Sequence, residues 1–172
     1  VGMGTDGAAW GGELLQVDGA RFERLGHLQP LALPGGDRAA SEPWRMAAAA
    51  LHRLGRNAEI RERFADQQAA QAVAQMLVGD IHCPPTSSMG RMFDAAAGLL
   101  GIKAVMAYEG QAAMLLESMA QRYGDVLPLD QCWTIDDGRL DLLPLLGALA
   151  DEKDAERGAA LFHATLAAAL AD

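Results

Sequence analysis

The residues best suited to chemistry lie between Ser87 and Gly98. Met89, Met92, Phe93, Ala96 and Leu100 recur at helical spacing as an apolar stripe, and Ser87, Arg91, Asp94 and Gly98 fall on the opposite stripe. A hydroxyl, a guanidinium, a carboxylate and bare backbone on one face suit a polar ligand. Asp94 can accept hydrogen bonds from sugar hydroxyls, Arg91 can hold an anion through two parallel hydrogen bonds, and Gly98 lets a ligand or another backbone approach. A solvated face carrying an Arg91–Asp94 pair, worth roughly 0.2–0.5 kcal/mol, fits the same spacing.

Two glycine-bearing segments are the next candidates. Gly2-Met3-Gly4-Thr5-Asp6-Gly7 can bring backbone N–H groups near a phosphate, as glycine nests do, or can simply turn a hairpin. It has neither the length nor the lysine of a P-loop. Tyr108-Glu109-Gly110-Gln111 stands where a helix begins. Amides at such an end attract anions. Glu109 would equally complement the helix dipole at a plain helix entry.

The remaining reactive side chains carry less. Among His27, His52, His82 and His163 no two are four residues apart, so no metal site is expected within the chain. His163, next to Phe162, reads as packed or capping. Cys83 and Cys132 are far apart with no Cys-x-x-Cys, which favours reduced thiols over a disulfide. The methionines and tryptophans read as core.

The elements that must position these residues follow from punctuation. Residues 14–17 and 21–25 are strands around an Asp18-Gly19 turn, and 34–37 is a loop. Ser41 is expected to cap a helix with Pro43 in its first turn, running through Leu54 to Gly55. Asn57 is expected to cap a second helix ending at Phe64, and a third spans 67–78. Pro84-Pro85 enforces a loop, after which Thr86 or Ser87 begins a fourth helix to about Gly101. Further helices cover 110–123, 144–150 and 154–171, with a small hairpin of 133–135 and 139–141 around Asp137-Gly138. The fold class is α+β but α-rich: one segment, 1–172, with a glycine-rich hairpin region at 1–33 and a mostly helical part at 41–172.

Bulk properties narrow the function. Of 172 residues 51% are hydrophobic and 22% charged, ordinary for a folded domain. The net charge of −9 argues against nucleic acid as partner, because phosphate binding needs a basic surface. No apolar run reaches the ~20 residues of a membrane span, and no signal peptide is visible, so a cytoplasmic protein is expected. Val1 opens inside a glycine run, which reads as a cut through a motif.

Several runs together resemble one family. Gly2-Met3-Gly4-Thr5-Asp6-Gly7-Ala8-Ala9-Trp10-Gly11-Gly12-Glu13 looks like a DG-x-G-x-G-x-DG-xx-WGGE segment entered after its first Asp-Gly. Leu33-Pro34-Gly35-Gly36-Asp37 with Glu42-Pro43-Trp44-Arg45-Met46-Ala47 resembles PGGD…EPWRMA. Thr86 to Ala95 resembles TSS-x-GR-x-FDA, Tyr108 to Ala113 matches YEGQAA, and Phe162-His163 with Leu166 looks like FH-xx-L. The family is the HypF-type carbamoyltransferases, in the C-terminal domain, which is similar to the threonylcarbamoyladenosine-forming proteins and to actin/Hsp70-like (ASKHA) ATPases.

The resemblance implies a partial actin/Hsp70-like domain. It also implies a full-length enzyme that makes carbamoyl-adenylate from carbamoyl phosphate and ATP. That enzyme passes the carbamoyl group to the C-terminal cysteine of a HypE-type partner, for nickel–iron hydrogenase maturation. Gly2 and Gly4 would lie in a phosphate loop, Asp94 at the nucleotide ribose, Glu109-Gly110 at a nucleotide-facing turn, and Arg91 beside them. A metal, zinc or iron, is expected only from residues outside the chain, and the chain alone is expected to be inactive. A transfer RNA threonylcarbamoyl transferase relative is disfavoured by the acidic charge and by the Tyr-Glu-Gly-Gln run. A non-catalytic helical interaction module is the other alternative.

Overall fold

A computed structural model describes residues 2–172; Val1, and with it the reading of a cut motif, lies outside the described residues. Strand β1 (Gly2–Met3) pairs with β2 (Ala9–Trp10), and the long hairpin β3 (Glu13–Asp18) and β4 (Arg21–Leu28) follows. Gly19 supplies the positive φ (59°) that its tight turn requires. After β5 (Leu31–Ala32) a 3-10 turn over Gly36–Ala40 leads into α1 (Pro43–Arg53), α2 (Asn57–Arg63) and α3 (Ala70–Gly79). Then come β6 (Pro85–Thr86), α4 (Met89–Leu99) and α5 (Gln111–Tyr123). The hairpin β7 (Thr134–Asp136) and β8 (Arg139–Asp141) precedes α6 (Leu143–Asp151) and α7 (Ala155–Ala171). No described helix is long and apolar enough to cross a membrane.

The strands make two four-stranded mixed sheets, ordered β1-β2-β6-β5 and β3-β4-β8-β7. In each, one parallel pairing joins distant pieces of chain: β2 with β6 and β4 with β8. β3 is an outer strand, and Leu14, Leu15 and Val17 along it are exposed, as is Phe22 across the turn.

Several helix starts differ from the sequence expectation. Ser41 does not cap α1: its hydroxyl turns back to the Arg38 carbonyl, and Glu42 takes the cap position without a side-chain cap bond. Glu42 instead accepts from Arg38, Trp44 and Arg45, which lets the Arg45 side chain sit 4% exposed inside the fold. Asn57 is the first residue of α2 rather than its cap, and its side chain pairs with His52. α3 starts at Ala70, not Gln67. Thr86 belongs to a strand, so α4 begins only at Met89.

The core is built around α1 and α4. Ala47, Ala48, Ala49 and Ala50 are at most 1% exposed, and residues 94–99 of α4 are all buried. A helix buried all round must sit at the centre of its domain. The two helices approach through Gly98, where a Cβ would lie 2.6 Å from the Pro43 carbonyl oxygen and 2.9 Å from the Ala47 Cβ. Of the two uses foreseen for Gly98, close approach of another backbone is the one observed. At the far side Phe93 meets Phe162 edge-on at 4.9 Å, and His163 packs beside both with Nδ1 2.8 Å from the Ala159 carbonyl oxygen.

Gly98→Ala isolates this packing. Within a helix interior the change ordinarily stabilises by about 0.5–1 kcal/mol. Here the overlap with α1 should reverse the sign, destabilising by about 1–3 kcal/mol. Thermal or urea unfolding of the variant reads the sign directly, and a stabilised Gly98→Ala would show that the contact relaxes freely.

Candidate functional site

Two polar clusters flank the entrance to α4. The first is organised by Glu13. Its Oε2 accepts from the Gly11 and Gly12 amides at 2.6 and 2.9 Å, and its Oε1 accepts from Arg24 Nη2 at 2.9 Å and from the Ser87 hydroxyl. Asp6 completes the cluster. Its Oδ1 accepts from the Ala8 amide (3.0 Å) and the Trp10 indole (2.9 Å), and its Oδ2 from Arg24 Nη1 at 2.9 Å. The Arg24 guanidinium lies 4.2 Å from the centroid of the Trp10 ring, a cation–π distance. Burial would push the Glu13 carboxyl up, but hydrogen bonds from Ser87, Gly11, Gly12 and Arg24 together hold it below the usual carboxylate range.

The second cluster surrounds Arg91. A cavity of about 420 Å³ is lined by Asp37, Ser41, Arg91, Met106, Tyr108 and Glu109, among others. It lies where the 3-10 turn, the first turn of α4 and the approach to α5 converge. Gly110, in the left-handed conformation (φ 79°), caps α5 directly after Glu109. Behind Arg91 sits Asp94, 2% exposed, with its Oδ2 2.8 Å from Arg91 Nη2. The contact brings the charges together without hydrogen-bond alignment: neither Asp94 Oδ2 nor Arg91 Nε has a hydrogen-bond partner. The Ser88 hydroxyl, one turn before Arg91, is likewise buried and unpaired. Burial pushes the Asp94 carboxyl up to about 6, and the nearby Arg91 charge only partly opposes it.

The residues singled out from the sequence thus divide. Arg91 and Glu109 share a cavity and Gly110 adjoins it, whereas Asp94 touches Arg91 but does not itself line the cavity. The solvated-face alternative does not describe Asp94, because the carboxylate is buried. Ser87 leaves the Arg91–Asp94 face for Glu13, and Gly98 belongs to the contact with α1. Gly2 lies exposed on the β1–β2 ribbon. The Gly4 amide donates to the Ala8 carbonyl at 2.8 Å, and an added Cβ there would run into the Trp10 indole. Arg24, Asp6 and Glu13 were missed as a unit. The one local signal was a carboxylate immediately after the paired amides of Gly11-Gly12. Among the described residues no group of three or more His, Cys, Asp or Glu side chains is placed to hold a metal. Both cysteines are free, and burial, helped by Asp80, pushes the Cys83 thiol up, away from nucleophilic use.

The fold is an α+β, Kae1-like domain. Over 95% of this chain it matches the crystal structure of a full-length HypF in a phosphate- and nucleotide-bound form, with a TM-score of 0.78, 29% identity and 22% of that chain covered. A family model described as the second subdomain of the carbamoyltransferase Kae1-like domain matches residues 1–172, and the chain belongs to this family of HypF carbamoyltransferases. The carbamoyltransferase HypF2 of Cupriavidus necator is 55% identical over 197 residues, covering 99% of this chain. The carbamoyltransferase HypF of Rhizobium leguminosarum bv. viciae is 42% identical over 177 residues, again covering 99%. The chain spans 24% and 22% of those two proteins.

Asp94 has a measurable pH signature. The fold retains its proton to about pH 6, whereas an exposed aspartate releases it near 3.8. The stability that Asp94 contributes is therefore complete below about 3.8 and is lost as pH rises toward 6. Asp94→Asn should escape that loss. Relative to the parent, it should gain on the order of 2–3 kcal/mol between about pH 4 and pH 7 in urea unfolding. A pH-independent difference between the two proteins would show that Asp94 titrates normally.

Proposed function

We propose that the chain forms part of an enzyme that moves a carbamoyl group from carbamoyl-adenylate to the C-terminal cysteine of a HypE-type acceptor protein. The reaction belongs to nickel–iron hydrogenase maturation in the cytoplasm. The donor is made from carbamoyl phosphate and ATP. The acceptor's thiolate bonds to the carbamoyl carbon, the bond from that carbon to the adenylate oxygen breaks, and AMP leaves. No activated cysteine is then needed in this chain, in keeping with its two unactivated thiols.

One observation carries this reading. The family match covers the whole chain, and within it Arg91, Tyr108 and Glu109 line one cavity, with Arg91 touching the buried Asp94, whose Oδ2 has no hydrogen-bond partner. Buried polar atoms without partners are costly unless a ligand or water completes them. A sugar hydroxyl can donate to the Glu109 carboxylate, and to Asp94 once Arg91 turns from it to face the adenylate phosphate. Gly110 leaves the mouth of the cavity without a side chain. Gly2 and Gly4 give the β1–β2 ribbon a low profile against which phosphate oxygens can lie. Zinc or iron ligands would come from outside this chain.

In the full-length enzyme Asp94→Ala should slow transfer from preformed carbamoyl-adenylate to purified acceptor about ten- to a hundredfold, the cost of a lost charged hydrogen bond. Carbamoyl-adenylate synthesis, measured separately, should be nearly unchanged. Asp94→Asn should be milder, because the amide oxygen still accepts one hydrogen bond. Normal transfer by a folded Asp94→Ala enzyme would sink the nucleotide role of this face.

A further inference from the structure

The glycine-rich segment has almost no apolar anchorage. Of residues 2–8 only Ala8 is buried, and Gly2, Met3, Thr5, Asp6 and Gly7 are exposed. Main-chain bonds at Ala9, Gly11 and Gly12 tie the far part of the Asp6–Glu13 stretch to β6, α4 and β4, and one side chain from the neighbouring hairpin brackets its two carboxylates. Arg24 donates through Nη1 to Asp6 and through Nη2 to Glu13, both at 2.9 Å, with its guanidinium over the Trp10 ring between them. Glu13 extends the bracket, gathering the Gly11 and Gly12 amides and the Ser87 hydroxyl two residues before α4.

We propose that Arg24 is a positioning residue for carbamoyl transfer, holding the Asp6–Glu13 stretch in the shape that meets the phosphate-bearing substrate. This rests on the reading above that the glycine-rich ribbon faces the nucleotide phosphates. The forked guanidinium is suited to the task, since it satisfies two carboxylates in fixed directions and stacks on an aromatic face. A lysine, a point charge, can hold only one arm well. The two arms differ in strength. Glu13 is 5% exposed and Arg24 19%, so their pair is shielded, whereas Asp6 at 44% is screened by water.

The consequence is for binding rather than for chemistry. Glycine loses more freedom on ordering than any other residue. Without the bracket the exposed residues 2–7 are held chiefly by their pairing with β2, so part of their ordering falls to substrate binding, and that cost appears as weaker affinity. Once substrate is bound, the reacting atoms meet the same surroundings.

The experiment measures transfer from preformed carbamoyl-adenylate to purified acceptor by the full-length enzyme, with adenylate concentration varied. Arg24→Gln should raise KM about tenfold, as expected for a lost charge-assisted hydrogen bond, with kcat little changed. Arg24→Lys should restore part of the affinity. Asp6→Asn, at an exposed position, releases the weaker arm. It should raise KM about two- to threefold without altering the melting temperature, and it decides the matter if Arg24→Gln does not fold. Parent-like KM in Arg24→Gln or, if that variant does not fold, in Asp6→Asn overturns the proposal. So does a loss confined to kcat, or an Arg24→Lys enzyme no better than Arg24→Gln. Asp94→Ala run alongside separates the two levels. Normal transfer by that variant refutes the nucleotide reading, whereas impaired transfer there with normal Arg24 variants refutes only the positioning role.

Discussion

At Gly98 the backbone of α4 comes so near the Pro43 carbonyl and the Ala47 methyl that no side chain fits between them. Much of the rest follows from this contact. It allows the alanine run of α1 to be buried to 1% exposure or less and makes α4 the central helix, so whatever polar groups α4 carries are drawn inside with it. Arg91 and Asp94 are within that helix, and their surroundings are set by how tightly α1 and α4 close, not by their own preference for water.

That arrangement leaves the carboxylate of Asp94 costly in the free protein. A desolvated carboxylate whose ion-pair partner is poorly aligned works against folding at neutral pH. A side chain of this kind is characteristic of a site where stability and activity pull in opposite directions. By contrast Glu13 and Glu42 are half-buried carboxylates with their acceptor capacity well used, each by at least two charged or backbone donors. The same residue class thus serves two ends. Where its partners are complete it stiffens the frame around α1 and the glycine ribbon, and where they are incomplete it sits behind Arg91 without a well-aligned partner.

The helices and both hairpins were legible because their signals are local. Asp18-Gly19 and Asp137-Gly138 mark tight turns, the last helix begins beside Asp154, which caps it, and the apolar periods are long enough to read. The paired strands of the first sheet were not legible. Two residues carry no period, and Ala9 meets Thr86 across 77 positions of chain. For the site, Asp94, Arg91, Glu109 and Gly110 could be named from the motif resemblance, and three of them do line or adjoin one cavity. The burial of Asp94 could not be read, because it depends on α1 and on the backbone of Gly98 rather than on neighbours in sequence. Arg24 was invisible for a similar reason: its carboxylates lie 18 and 11 residues away, and only the fold of the hairpin brings them within reach.

The outer strand β3 presents unpaired backbone groups along one side, with Leu14, Leu15 and Val17 exposed on it and Phe22 beside them. Such an edge is a template on which another extended chain can continue the sheet. Its two faces are both apolar enough to favour that addition, and Asp18 and Arg21 at the turn are among the few charges close by to discourage it. In the isolated domain this strip of main chain is a place where a second extended chain can add to the sheet.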